Sequence, residues 1–277
     1  MRIHPLTWFV RARRAMARLL LLGVGSLALV AGEAPWRVLL LSGQNNHDWA
    51  TTSPKLKSIL EATGRFAVEV TEHPEQLTAE RLAPFDVIVG NWNSWGSGPD
   101  SAPVKEWPAA TREAYVAFLR GGKGQVMVHA GASSFYDWPD YQQAGLAAWG
   151  LGQTQHGPMH EFPVRLDSLD HPVVAGLRNF HTTDELWVRP AVQPGAQVLA
   201  SAYASADHPQ GSGQWEPTAL AAPFGEGRCF TLLLGHNAPS MDNPGFQALL
   251  TRGTEWAATG RVTIKPPTGA DHPPTRE

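Results

Sequence analysis

The sequence predicts an α/β protein with a doubly wound, mostly parallel sheet and an antiparallel extension in its second half. Short apolar runs of strand length alternate with segments of helical spacing through the first half. This alternation is typical of parallel strands joined by right-handed helical crossovers. In the second half, two apolar runs joined through Gly225, Glu226 and Gly227 predict an antiparallel pair of strands.

In the first half, each predicted strand is followed by a predicted helix. The run 37–42 is apolar at most positions, as a central strand buried on both faces is. Pro54 suits the first turn of the helix that follows, and Gly64 ends it. The remaining predictions are strands at 66–70, 85–90 and 124–128 and helices at 77–82 and 111–120.

The second half is less regular, and no repeat or linker marks a second domain. We expect a helix that opens at Asp137 and runs towards Trp149. The other predicted elements are strands or strand approaches at 162–166, 184–187, 198–203, 218–222 and 228–234, a turn at 171–177 and a helix at 244–258. The predicted domain therefore spans residues 36–262.

The two ends of the chain differ from this domain in composition. Residues 1–34 have a basic flank, an apolar run at 19–30 and a small-residue exit, which predicts a signal peptide. The alternative is an uncleaved anchor, although the run is short for a membrane span. Either way we expect an exported protein, periplasmic or extracellular. Residues 263–277, rich in proline and charge, predict a disordered tail.

The charge, the tryptophans and the cysteine content exclude some kinds of ligand and metal site and favour others. The net charge is -3 with no basic stripe, so we expect no nucleic-acid partner. Eleven tryptophans favour a small-molecule carbohydrate, because aromatic faces stack on sugar rings, although tryptophan also fills cores. Cys229 is the single cysteine, which excludes an intrachain disulfide and a cysteine-rich metal site. Its apolar surroundings predict a buried structural thiol.

Histidines follow several predicted strands. His47, His129 and His236 each stand where a strand ends, at the carboxyl edge at which open α/β sheets bind ligands. Imidazole can serve there as an acid, a base or a metal ligand. The predicted catalytic groups are these three histidines with Asp184 and Glu185, which could orient the imidazoles. Convergence of the groups depends on the strand order.

A metal site is one of two hypotheses for this chemistry. His156 and His160 share a loop, and with His129 they could supply the three protein ligands of a divalent metal such as zinc. The other hypothesis is acid/base catalysis without a cofactor.

The predicted substrate-binding residues are Trp49, Tyr136 and Trp138, together with Asp48. They lie in predicted carboxyl-edge loops, and this placement predicts a sugar-stacking cleft.

Several motifs in order carry a resemblance to a known family. They are Asn46-His47-Asp48-Trp49, Val128-His129-Ala130, Tyr136-Asp137-Trp138-Pro139, His171-Pro172, Asp184-Glu185-Leu186-Trp187, Leu234-Gly235-His236 and Arg252-Gly253-x-Glu255-Trp256-Ala257. With these the chain resembles the ThuA-like family, named for trehalose utilisation. The resemblance implies a three-layer α/β/α fold of the flavodoxin-like, class I glutamine amidotransferase-like kind.

The resemblance also implies a role in carbohydrate metabolism, on oxidised (3-keto) disaccharides or glycosides. It does not imply amidotransferase activity, because true amidotransferases carry a cysteine at about the position of His129. From the histidines and the implied carbohydrate role, we expect an enzyme that acts on sugars, of hydrolase, lyase or isomerase type. The alternative is a non-catalytic carbohydrate-binding or accessory module.

Overall fold

The computed structural model describes residues 34–95 and 106–267. The predicted signal peptide therefore lies outside the described residues, apart from Ala34. Within the described part of the chain, no helix is both long enough and apolar enough to cross a membrane.

The elements follow the predicted order closely. The helices are α1 (Trp49–Ala62), α2 (Ala79–Leu82), α3 (Ala109–Arg120), α4 (Pro139–Gly145) and α5 (Pro244–Thr259). The strands are β1 (Trp36–Leu41), β2 (Phe66–Thr71), β3 (Val87–Gly90), β4 (Gly124–Val128), β5 (Ala147–Ala148), β6 (Gln155–His156), β7 (His160–Leu166), β8 (Phe180–Asp184), β9 (Trp187–Val188), β10 (Ala191–Val192), β11 (Gln197–Ala204), β12 (Gln214–Phe224) and β13 (Gly227–Leu232).

Nine strands form the main sheet in the order β2-β1-β3-β4-β13-β12-β11-β7-β8. The first five in this order pair in parallel, and the pairs from β13 to β8 are antiparallel. The doubly wound sheet with its antiparallel extension is thus confirmed. Two short antiparallel pairs, β5 with β10 and β6 with β9, lie beside it.

The central strands are buried on both faces because successive side chains point to opposite sides of the sheet. Val38 and Leu40 of β1 belong to the core that α1 and α5 cover. Leu39 and Leu41 belong to the core on the opposite face, which α2, α3 and α4 cover. The protein therefore has three layers, α/β/α, as predicted.

Two predicted elements of the second half have other boundaries in the structure. The helix predicted to run from Asp137 towards Trp149 covers only Pro139–Gly145, because Leu146 adopts a positive φ of 60° and the chain enters β5. The segment predicted as a strand at 184–187 is split between the end of β8 and the start of β9.

The C-terminal tail is ordered further than predicted. The buried carboxylate of Glu255 in α5 accepts hydrogen bonds from the backbone N–H groups of Thr263 (2.7 Å) and Ile264 (2.9 Å). Arg252, also in α5, donates to the carbonyl of Ile264. These bonds fix the chain through Ile264, so the prediction of disorder from residue 263 is wrong at its start. Residues 268–277 lie outside the described part.

Candidate metal centre

Three histidines and one glutamate meet at the carboxyl edge of the parallel strands. His47 follows β1, His129 follows β4, His236 follows β13, and Glu185 follows β8. One ligand atom from each lies within 4.8 Å of those of the others, so this four-residue cluster could hold a metal ion. The ring centroid of His47 lies 4.7 Å from those of both His129 and His236.

His129 sits on a sharp turn between β4 and a short 3-10 segment, residues 129–132, which we call the elbow. Its φ is 46°, in the left-handed region that residues other than glycine rarely adopt. The turn is tight, because a Cβ at Gly131 would lie 2.3 Å from the carbonyl oxygen of Gly90. The elbow therefore holds a nearly fully buried imidazole at the strand end.

The hydrogen bonds of His129 leave it ready to act as a ligand. Its Nδ1 donates to the backbone carbonyl of Leu233 at 2.8 Å. Because a carbonyl only accepts, the proton belongs on Nδ1 and the Nε2 lone pair is available. Nε2 is buried, has no hydrogen-bond partner among the described residues, and lies 3.4 Å from Oε1 of Glu185.

His47 is fixed by a similar contact. Its Nδ1 lies 2.9 Å from Oδ1 of Asn45, which also accepts from Nδ2 of Asn93. Nδ1 is therefore the donor, and Nε2 remains available as a ligand. Burial, together with the neighbouring His129 and His236, lowers the pKa of His47 to about 3. At neutral pH the ring is uncharged, the form that binds metals.

Glu185 supplies the negative charge of the cluster. Its Oε1 accepts from Nε1 of Trp187 at 3.2 Å, and its Oε2 lies 3.3 Å from Nδ1 of His236. Burial alone would raise the pKa of Glu185, but the imidazoles of His129 and His236 hold it well below its usual range. In return, the Glu185 carboxylate raises the pKa of His236.

Asp184 contacts this site through backbone groups. Its Oδ2 accepts from the N–H of Gly235 at 2.6 Å, and its Oδ1 accepts from the N–H of His236 at 3.1 Å. We expected Asp184 or Glu185 to orient an imidazole. Glu185 lies against imidazole nitrogens, whereas Asp184 holds the turn that carries His236.

The separations within the cluster are compatible with a shared metal ion. Two ligand atoms bound to one ion at about 2.0–2.1 Å, at a tetrahedral angle, are separated by roughly 3.3–3.4 Å. Oε1 of Glu185 lies 3.4 Å from Nε2 of His129, and its other oxygen, Oε2, lies 3.3 Å from Nδ1 of His236. Both nitrogens are buried and make no hydrogen bond with the described residues. Three nitrogens and one oxygen suit zinc and similar transition-metal ions.

A cavity of about 350 Å³ opens directly over the cluster. Three of the four members line it, whereas His129 lies beneath them. The other lining residues are Asn46, Trp95, Ala130, Ser133, Trp149, His156 and Trp187. A metal held by the cluster would therefore have one side facing a cavity with tryptophan walls. Catalytic zinc sites keep such an open position, whereas structural sites are closed.

The metal-ligand set predicted from sequence is partly corrected by this arrangement. Of His129, His156 and His160, only His129 belongs to the cluster. His156, in the β6–β9 pair, borders it, with Nδ1 3.2 Å from Oε2 of Glu185. His160 opens β7 and stacks on His208 at 4.1 Å, so its ring packs outside the cluster.

None of the four predicted substrate-binding residues lines this cavity. Trp138 is buried in an aromatic group with Trp107 and Tyr141, so it is a core residue. Asp48 caps α1, accepting a hydrogen bond from the N–H of Thr51. The two other predicted residues also lie outside the lining: Trp49 is the first residue of α1, and Tyr136 is an exposed residue shortly before α4.

Tyr136 nevertheless supports the wall, because its hydroxyl donates to the carbonyl of Trp149 at 2.9 Å. Trp149 and Trp187 are wall residues that we did not predict. For Trp187 a signal exists in the sequence. It stands two residues after Glu185, and in an extended segment alternate residues share a face.

The family model ThuA, described as trehalose utilisation, matches residues 37–257. A ThuA-like protein from Parabacteroides merdae ATCC 43184 has 30% identity and a TM-score of 0.74, with 85% of this chain and 94% of that chain covered. None of the curated proteins matches.

Two more distant solved structures show the fold alone. A ThuA-like protein from Bacteroides uniformis ATCC 8492 has 18% identity and a TM-score of 0.61, with 83% of this chain and 94% of that chain covered. A cytoplasmic protein from Salmonella typhimurium has 12% identity and a TM-score of 0.55, with 79% and 98% covered.

Proposed function

The chain belongs to the ThuA family of trehalose utilisation, and from this premise we propose that it is a metal-dependent enzyme acting on a sugar or glycoside. The family suggests carbohydrate metabolism. Within it, oxidised (3-keto) disaccharides and glycosides are the substrates that we propose. The N-terminal sequence supports a further part of the proposal, that the protein is exported to the periplasm or beyond.

One observation carries the proposal of catalysis: the cluster opens on the cavity. His47, Glu185 and His236 line the cavity floor, so a substrate in the cavity would reach an ion that they hold. A bound divalent ion polarises a carbonyl oxygen or lowers the pKa of a water molecule. Either effect suits the activation of a keto sugar or the hydrolysis of a glycoside.

The chain's own residues supply the remaining functions. The half-buried wall tryptophans Trp95 and Trp149 offer faces on which a sugar ring can stack, whereas Trp187 is buried behind the cavity surface. His156 lines the cavity beside Glu185 and lies outside the four-residue cluster, so its imidazole is placed to exchange a proton with a substrate. None of the lining residues named above is a lysine or arginine, which suits a neutral sugar.

Metal analysis combined with turnover tests this function. Purified protein is expected to contain, or to take up, about one equivalent of a transition metal, and to turn over a member of a panel of oxidised and ordinary disaccharides. His129→Ala should lose both the metal and the turnover.

The matched control is His73→Ala. His73 follows β2 at the same edge of the sheet but is exposed and lies beside Glu75. This variant should keep both metal and turnover. Turnover that survives complete metal removal and the loss of His129 would refute the proposal.

The second candidate is a carbohydrate-binding module without catalysis, which the tryptophans of the cavity wall favour. The metal-loaded protein would then bind sugars from the panel, by calorimetry, while leaving every one of them unchanged. Product formation in the same samples excludes this candidate.

A further inference from the structure

Asp184 is a fully buried carboxylate next to the cluster, and its contacts are with backbone N–H groups. Besides Gly235 and His236, its Oδ1 accepts from the N–H of Glu185 at 2.9 Å. Three N–H groups thus converge on one carboxylate. Hydrogen bonds to a charged acceptor are about twice as strong as neutral ones, so the carboxylate of Asp184 holds these three backbone groups tightly.

These bonds join the two chain segments that carry neighbouring ligands. Glu185 follows Asp184 directly, whereas His236 comes from the turn after β13, on the far side of three intervening strands in the sheet order. The turn is itself restricted. Gly235 has a φ of 97°, and a Cβ there would lie 2.6 Å from the ring of Phe246. Leu233, just before the turn, accepts the hydrogen bond of His129.

We propose that Asp184 is a positioning residue for the metal: by bonding the backbone of both Glu185 and His236, it sets the separation of these two ligands. The inference rests on the proposed metal-dependent function. It does not place Asp184 in contact with metal or substrate. Groups that orient metal ligands typically account for 10- to 100-fold in metal affinity.

Asp184→Asn is the test variant, because it keeps the size of the side chain but replaces one acceptor oxygen with an NH₂ donor. Of the N–H groups that Asp184 now binds, at least one would then face a donor. The expected result is a 10- to 100-fold rise in the dissociation constant for Zn²⁺, measured by competition with a chromophoric chelator. The absorption spectrum of the Co²⁺-loaded variant should also change.

Glu255→Gln is the matched control. Glu255 is likewise a buried carboxylate that accepts two backbone N–H groups, but it holds the C-terminal segment. The Glu255→Gln variant should have a lower melting temperature, with the Zn²⁺ affinity and the Co²⁺ spectrum unchanged. If Asp184→Asn lowers only the melting temperature, as Glu255→Gln does, Asp184 has a merely structural role and the inference is overturned.

A measurement on the wild-type protein covers the case in which Asp184→Asn does not fold. Hydrogen exchange should show the N–H groups of Gly235 and His236 protected in the metal-free protein, before any ion is added. Exchange as fast as that of exposed amides would overturn the inference. If the wild-type protein binds neither Zn²⁺ nor Co²⁺, the proposed function itself fails, which is a result distinct from an unaffected Asp184→Asn.

Discussion

Replacement of His129 by alanine and, separately, by glycine tests both the metal centre and the strain of the elbow. Both variants remove a buried imidazole whose Nε2 lies 3.4 Å from Glu185. Neither should respond to metal as the wild-type protein does. The two variants differ only in the Cβ, which alanine carries and glycine lacks, and therefore in how easily the backbone adopts a positive φ.

The expected metal response follows from binding linkage. Free metal at 100 times its dissociation constant stabilises the folded protein by about 2.7 kcal/mol. For a domain of this size, that raises the melting temperature by roughly 5–11 °C. Loss of the His129 ligand should weaken binding at least 100-fold, since loss of an orienting group alone costs 10- to 100-fold. At the same metal concentration the variants would then gain only about 0.4 kcal/mol.

The metal-free variants should differ in stability because of the φ of 46° at position 129. The left-handed conformation costs a residue with a Cβ about 1–2 kcal/mol, and it costs glycine little. His129→Gly should therefore be more stable than His129→Ala by about 1 kcal/mol, or roughly 2–4 °C. Within regular helices and strands the order of these two residues is reversed.

Calorimetric melting of metal-free and Zn²⁺-titrated samples measures both effects, with His73→Ala as the control that keeps the full metal response. A Zn²⁺ shift in His129→Ala equal to that of the wild-type protein would refute the assignment of His129 as a ligand. A metal-free His129→Ala that melts above His129→Gly would show that the elbow is not strained.

Three other predictions test the site and the core. Metal binding should weaken as the pH falls below the pKa of His236, which Glu185 raises above its ordinary value, because the proton competes with the ion. The dissociation constant should rise about tenfold per pH unit there, and a flat profile between pH 8 and pH 5 would contradict this. Trp149→Ala should weaken binding of a sugar substrate by about 1 kcal/mol, or roughly fivefold, with Zn²⁺ affinity unchanged in calorimetric titrations; unchanged sugar affinity would remove Trp149 from the binding wall. Burial raises the pKa of the Cys229 thiol to about 12, so iodoacetamide at pH 8 should label it, by mass spectrometry, only after unfolding; rapid labelling of the folded protein would show that the strand opens.

The sequence alone determined the fold class and the edge at which the site lies. Apolar runs such as 37–42 are long enough for strands buried on both faces, and alternation with helices makes the strands parallel. Parallel strands present their carboxyl ends at one edge, so His47, His129 and His236 could be assigned to that edge from their positions after strands. Each of these inferences uses only neighbouring residues.

The membership of the cluster was decided by the tertiary structure. Glu185 follows β8 at the far end of the sheet order, and only the path of the chain after β8, together with the bonds of Asp184, brings it beside His236. His160 and Trp138 have the residue types and loop positions of site residues, yet one packs on His208 and the other in an aromatic core. Local periodicity predicts which residues are buried and where strands form. Strand order and side-chain contacts arise from pairings between distant parts of the chain, which no local pattern contains.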